Sequence, residues 1–140
     1  WVLNVIYTRM NPAAILVGEV VGNEALQFLK ATCLGRKALT TIHGGTVEEA
    51  LMRLEQLALA SAPELGLPAI RSMVALGLDV IALMGRVAKA GRVERTLQAV
   101  ALLDGLNERG EYCLKYLYRA SGEDLALSLE RAFTNLEGQS

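Results

Sequence analysis

With 140 residues, 52% of them hydrophobic and 21% charged, the chain is long enough to form one domain with a sizeable core. Its formal net charge of -1 argues against an autonomous nucleic-acid-binding module, which would present a basic surface. The single histidine, His43, excludes a histidine-rich metal site. Cys33 and Cys113 match no metal or redox spacing and read as free thiols in a reducing compartment.

Mean hydropathy is high at +0.31, yet no apolar run approaches the roughly 18 to 20 residues a membrane span needs. The surplus apolarity therefore reads as core plus subunit interface. The chain begins at Trp1, shows no signal-peptide pattern, and its first ten residues read like the middle of something. A fragment lacking its amino-terminal part is expected. Asn11-Pro12 is a turn signal. The unbroken run from Ala14 to Val17, continued through Gly18-Glu19-Val20, suits a strand over about 14–20 buried on both faces, as in a parallel sheet.

Asn23 is placed to N-cap a helix, with Glu24 in its first turn. Ala25, Leu26, Phe28, Leu29 and Cys33 form its apolar face, and Gly35 ends it. A second, β-branched strand follows over about 38–43, broken by Gly44-Gly45. Thr46 and Glu49 then form a capping box. The helix after it turns Ala50, Leu51, Leu54, Leu57 and Ala58 inward, with Glu48, Arg53 and Glu55 elsewhere. Strand, loop, helix, repeated, is the rhythm of a parallel sheet.

Ser61 to Gly66 reads as a linker, followed by a helix over about 68–77. Strands at 79–84, 92–103 and 112–118, with turns at 88–91 and 104–110, predict an antiparallel meander. Ser121-Gly122-Glu123-Asp124 opens a terminal helix, and the tail frays. Arg86, Lys89, Arg92 and Arg95 cluster around the 88–91 turn. They form either a solvated turn or a contact to a partner or membrane surface.

Glu19 and His43 both emerge at strand ends, each followed by a glycine-containing loop and a helix. In open α/β sheets ligands bind at that edge, and neighbouring strands run about 4.8 Å apart. Glu19 reads either as a solvated loop residue or as a metal or water handler. His43 reads either as a structural hydrogen-bonder or as its partner over a common ligand. Gly44-Gly45 lets the backbone pass close to a ligand.

Asn11-Pro12, Ile15-Leu16-Val17-Gly18-Glu19-Val20 and Gly22-Asn23-Glu24-Ala25 resemble the Walker B region of the secretion ATPase superfamily. These are hexameric P-loop motors of type II and type IV secretion, conjugation and pilus assembly. Leu39-Thr40-Thr41-Ile42-His43 resembles the family's histidine box, and Arg53-Leu54-Glu55 and Asp79-Val80-Ile81 fall where it has similar residues. The resemblance runs from about Thr8 to Leu103 and looks closest to the conjugation and type IV secretion branch.

It implies an α/β fold: a partial three-layer RecA-like P-loop NTPase core, parallel strands flanked by helices, with a later antiparallel extension. Residues 1–140 would be the carboxyl-terminal portion of the ATPase domain. The Walker B and histidine-box part would span about 8–60, and helices and antiparallel strands about 61–140. It also implies ATP and Mg²⁺ as cofactors. Glu19 would polarise the attacking water and help hold Mg²⁺ through its water shell. His43 would contact the γ-phosphate region, and Thr41 and Gly18 would support the nucleotide site. Arg53 would face a subunit boundary. The implied protein is a hexamer in the cytoplasm, peripheral to the inner face of the membrane. Its partners would be inner-membrane secretion or pilus machinery, with no direct nucleic-acid contact.

Three departures stand out. Val21 occupies the place of the family's usual arginine, and Gly44-Gly45 replaces a small residue plus asparagine. No G-x-x-x-x-G-K-[ST] loop, whose backbone and lysine cradle the phosphates, occurs in these 140 residues. This stretch by itself is therefore not expected to bind ATP tightly. The alternative to a motor is a degenerate, non-hydrolysing oligomeric scaffold or regulatory subunit of the same fold.

Overall fold

The computed structural model describes residues 5–89 and 92–120. A π-helical turn, Ile6–Met10, ends at Asn11, which takes a left-handed conformation (φ 47°). Arg36 Nη1 donates to its side-chain oxygen. The turn expected at Asn11-Pro12 is thus pinned from the far side of the first helix.

Strands β1 (Ile15–Val17) and β2 (Ala38–Thr40) pair in parallel, with Ile15 opposite Ala38, Leu16 opposite Leu39 and Val17 opposite Thr40. The parallel pairing matches the sequence reading; the length and burial do not. Ile15 is 5% exposed and packs with Ala31 on one side, whereas Leu16 and Leu39 are 76% and 66% exposed on the other. Successive strand side chains point to opposite faces. Among the described residues, only one face of this pair is covered. An unbroken apolar run therefore does not by itself reveal which layer covers each face.

Helix α1 (Glu24–Cys33) buries Ala25, Leu26, Phe28, Leu29 and Ala31. Gly35, at φ 76°, follows its end as expected. Asn23 stands at the N-cap but makes no side-chain cap bond. Its Oδ1 accepts instead from Ser61 Oγ at 3.1 Å. Glu24, the first helical residue, binds back to the loop before it: its Oε1 accepts from the backbone N–H of Val21 (2.5 Å) and of Gly22 (2.8 Å).

Helix α2 (Val47–Ser61) opens with the expected box. Thr46 Oγ1 accepts from Glu49 N at 3.1 Å, and Glu49 Oε2 accepts from Gly45 N at 2.8 Å. A 3-10 turn (Pro63–Leu65) leads into α3 (Gly66–Gly77), which starts two residues before the expected position. Leu29 of α1, Leu51 and Leu54 of α2 and Ile70 and Val74 of α3 meet Ala101 and Leu103 of the second sheet in one apolar core. Each fully buried large aliphatic side chain there contributes roughly 1.5–3 kcal/mol.

Glu55 departs from its expected place off the inward face. It is 3% exposed. Arg71 Nε donates to its Oε1 at 2.9 Å and Tyr112 Oη donates to the same oxygen at 2.7 Å. The reason is helical geometry: Glu55 follows Leu51 by four residues, so it shares the buried stripe. Burial of a carboxylate there requires these two donors.

The second sheet is the expected antiparallel meander, β3 (Val80–Lys89), β4 (Arg92–Leu106) and β5 (Tyr112–Arg119). Its strands outrun the sequence reading. Ala88 and Lys89, expected in a turn, pair with Val93 and Arg92. Asp104 to Leu106 stay in β4 through a register shift, helped by Gly105 at φ 77°. The tight turn is confined to Asn107–Gly110, where Asn107 Oδ1 accepts from the N–H groups of Arg109 and Glu111, both at 2.9 Å. Among the described residues no helix is long and apolar enough to cross a membrane. The expected terminal helix after Ser121 lies outside the described residues.

Candidate functional site

Beyond Val17 and Thr40 the two parallel strands stay linked. Val20 N donates to Thr41 O at 2.9 Å, and Thr41 Oγ1 donates to Gly18 O at 2.6 Å. These two bonds bring the strand ends into step and carry Glu19 and His43 to the same edge. There His43 Nε2 lies 2.7 Å from Glu19 Oε1. His43 is 82% exposed and Glu19 42% exposed at the side chain, so the pair opens to solvent.

The two side chains meet as a close charged-group contact, and His43 makes no other polar side-chain contact among the described residues. The pair is too exposed for its ion-pair energy to hold the fold together. Its significance is geometric: a carboxylate and an imidazole fixed by neighbouring strands over open solvent. Such a pair can orient a water and sense an anion beside it.

Thr41 was expected to support the nucleotide site; its hydroxyl spans the two strand ends and contacts Gly18. Gly18 has nothing within 4 Å of where a Cβ would stand. Gly44 has a packing reason as well. A Cβ there would sit 2.9 Å from the backbone nitrogen of Ala50 and 3.0 Å from its Cα. Gly44 thus accommodates the first turn of α2.

Arg53 lies on the exposed side of α2 and makes no hydrogen bond or ion pair among the described residues. It is not brought to Glu19 or His43. Val21, at 59% exposure, leaves an apolar surface beside Glu24.

As to metal, no group of three His, Cys, Asp or Glu side chains converges among the described residues. Glu19 alone suits a Mg²⁺ that keeps most of its waters and takes its other ligands from phosphates. It does not make a protein cage.

Sequence reasoning missed two polar clusters. One is Glu55–Arg71–Tyr112. The other flanks the start of α2: Tyr116 Oη donates to Glu48 Oε1 at 2.7 Å, and the Arg119 guanidinium stacks 3.5 Å from the Tyr116 ring centre. Tyr116 holds the Glu48 carboxyl below its ordinary range. A hollow of about 300 Å³ lies between this cluster and Leu83, Gln98 and Ala99. The buried position of residue 55 on the helical stripe was the one available signal.

Comparison with known proteins adds to this geometry. The model of the family described as type II/IV secretion system protein matches residues 5–114. Conjugal transfer protein TrbB of Rhizobium radiobacter is 36% identical over 90 residues, 64% of this chain and 27% of that protein. Probable conjugal transfer protein TrbB of Sinorhizobium fredii is 32% identical over 101 residues, 71% of this chain and 30% of that protein. The crystal structure of the VirB11 ATPase of the Brucella suis type IV secretion system, in complex with sulphate, superposes with a TM-score of 0.64 at 27% identity. It covers 71% of this chain and 30% of that one. The chain thus spans under a third of the length of these relatives. With its parallel and antiparallel sheets and a family match over most of its length, the chain belongs to the type II/IV secretion ATPase family and represents part of it.

Proposed function

We propose that the chain is the Walker B and histidine-box portion of a secretion-type ATPase. The protein would hydrolyse ATP to drive type IV secretion, conjugation or pilus assembly. The observation that carries the reading is the 2.7 Å contact between Glu19 and His43 at the solvent edge of two parallel strands. In this reading the parallel pair belongs to a three-layer RecA-like core, and the uncovered face at Leu16 and Leu39 takes a further layer. Residues 1–140 form the carboxyl-terminal portion of the ATPase domain, with the site within about 8–60 and the packing elements within about 61–140.

Glu19 accepts a hydrogen bond from the attacking water and aligns it, and would help hold Mg²⁺ through the cation's water shell. The cation would supply neutralisation of phosphate charge, the main requirement of phosphoryl transfer. His43 faces the γ-phosphate region and, through its contact with Glu19, ties the carboxylate's position to the presence of phosphate. Thr41 and Gly18 hold the two strand ends in step. The phosphate cradle itself comes from a P-loop that these residues do not contain. Arg53, exposed on α2, faces a neighbouring subunit of a hexamer. The assembly works in the cytoplasm, peripheral to the inner face of the membrane, against inner-membrane secretion or pilus machinery, without touching nucleic acid.

Val21 favours a second reading: apolar and exposed at the family's arginine position, it offers no charge to a phosphate or a neighbouring subunit. A non-hydrolysing scaffold of the same fold would tolerate it. Mutagenesis in the longer protein separates the two. Glu19→Gln and His43→Ala are each expected to abolish ATP hydrolysis while leaving assembly, measured by sedimentation, intact. Unchanged turnover in both variants removes the assigned roles, and absence of turnover in the unaltered protein selects the scaffold.

A further inference from the structure

β5 reaches only to Arg119, opposite Ala99. Beyond that point β3 and β4 continue as a ribbon of two strands, Met84–Lys89 against Leu97–Arg92, about 20 Å long at 3.3 Å per residue. Arg86 stands directly opposite Arg95, and Lys89 opposite Arg92. Like charges in register are unfavourable unless an anion lies between them. None of the three arginines has an ion-pair partner among the described residues, and Glu94 is the single acid of the ribbon.

The ribbon also exposes apolar residues on both faces. Met84 (58% exposed) and Val93 (71%) share the face of Arg86 and Arg95, while Val87 (42%) lies on the other face with Arg92. Charges alone would suffice to keep a bare ribbon from pairing with another chain. They do not account for valines on opposite faces. A folded protein patch covers one face of a ribbon. A lipid headgroup layer surrounds both, accepting the valines and pairing the cations with phosphates.

We propose that this ribbon is the chain's contact with an anionic bilayer surface: its arginines meet lipid phosphates, and Val87 and Val93 enter the headgroup layer from opposite faces. The proposal rests on the membrane-peripheral part of the reading above and on none of its ATP chemistry.

The test is co-sedimentation of the protein with phosphatidylcholine vesicles, with and without phosphatidylglycerol. Retention is expected on anionic vesicles alone and is expected to fall as salt rises. Arg86→Gln/Arg95→Gln, folded by circular dichroism, is expected to bind anionic vesicles roughly 30-fold more weakly. Val87→Ser/Val93→Ser is expected to keep binding at low salt and lose it at raised salt. Equal retention of both variants and the unaltered chain overturns the proposal while leaving a membrane-peripheral protein intact. No retention on anionic vesicles, or equal retention on neutral ones, overturns it too. Arginine-dependent binding of polyglutamate without vesicle binding assigns the ribbon to an acidic protein partner instead.

Discussion

Glu24 sits where the chain turns from β1 into α1, and its carboxylate gathers the N–H groups of Val21 and Gly22. The Val21 N–H is the largest influence holding its carboxyl below the ordinary range, joined by Glu24's own N–H and that of Gly22, while burial works the other way. A carboxyl depressed in the folded state adds stability above the unfolded value, about 4.3. That stability is lost as pH falls through the lower folded value. Glu24→Gln is therefore expected to lower stability at pH 7 and to flatten its decline toward pH 3, as read from urea midpoints at the two values. The start of this helix was half legible in the sequence. Asn23 was read as the capping side chain because its type favours it. Its carbonyl oxygen instead takes the hydroxyl of Ser61, which lies 38 positions away. The meeting of Glu19 and His43 was legible, because strand ends in a parallel pair share an edge whatever packs behind them.

At the scale of elements, the loop from His43 into α2 shows what local reading reaches. The box between Thr46 and Glu49 closes within four residues, so type and spacing suffice to see it. The crowding of Gly44 against Ala50 depends on the angle at which α2 leaves the sheet, and spacing does not encode that angle. Because Ala50 meets Gly44 with backbone atoms, it cannot yield as a flexible side chain would. Gly44→Ala is expected to cost about 1–3 kcal/mol by urea denaturation. It is also expected to move the loop that presents His43, and, on the proposed function, ATP hydrolysis is expected to fall with it. A Gly45→Ala change meets only the end of Glu49's side chain and is expected to cost less. The same limit explains β3. Its outer half, Gly85 to Lys89, mixes a glycine with charged and apolar residues, so no clean alternation marks it, and pairing with the start of β4 extends it.

For the molecule as a whole, the Glu55–Arg71–Tyr112 cluster joins α2, α3 and β5, and so ties the helical layer to the antiparallel sheet. Arg71 Nη1 reaches on to Gly110 O at 3.4 Å, at the turn that starts β5. Sequence reading left Glu55 off the inward face; a carboxylate is rarely buried, and only the partners from two other elements make its position tenable. Glu55→Ala leaves both donors unmatched and is expected to cost about 2–4 kcal/mol, while Tyr112→Phe, which spares the ion pair, is expected to cost about 1 kcal/mol. Burial first, then the bond and charge of Glu55, push the Tyr112 hydroxyl well above its ordinary value. A raised folded value means the stabilisation is complete below the unfolded value of about 10 and is lost as pH rises beyond it. Urea midpoints of the unaltered chain are accordingly expected to fall above pH 10. Tyr112→Phe is expected to be less stable at pH 8 and to show a shallower alkaline decline. Identical alkaline slopes in the two proteins would mean that the hydroxyl is not held by Glu55, and the joint between the layers would then rest on Arg71 and apolar packing alone.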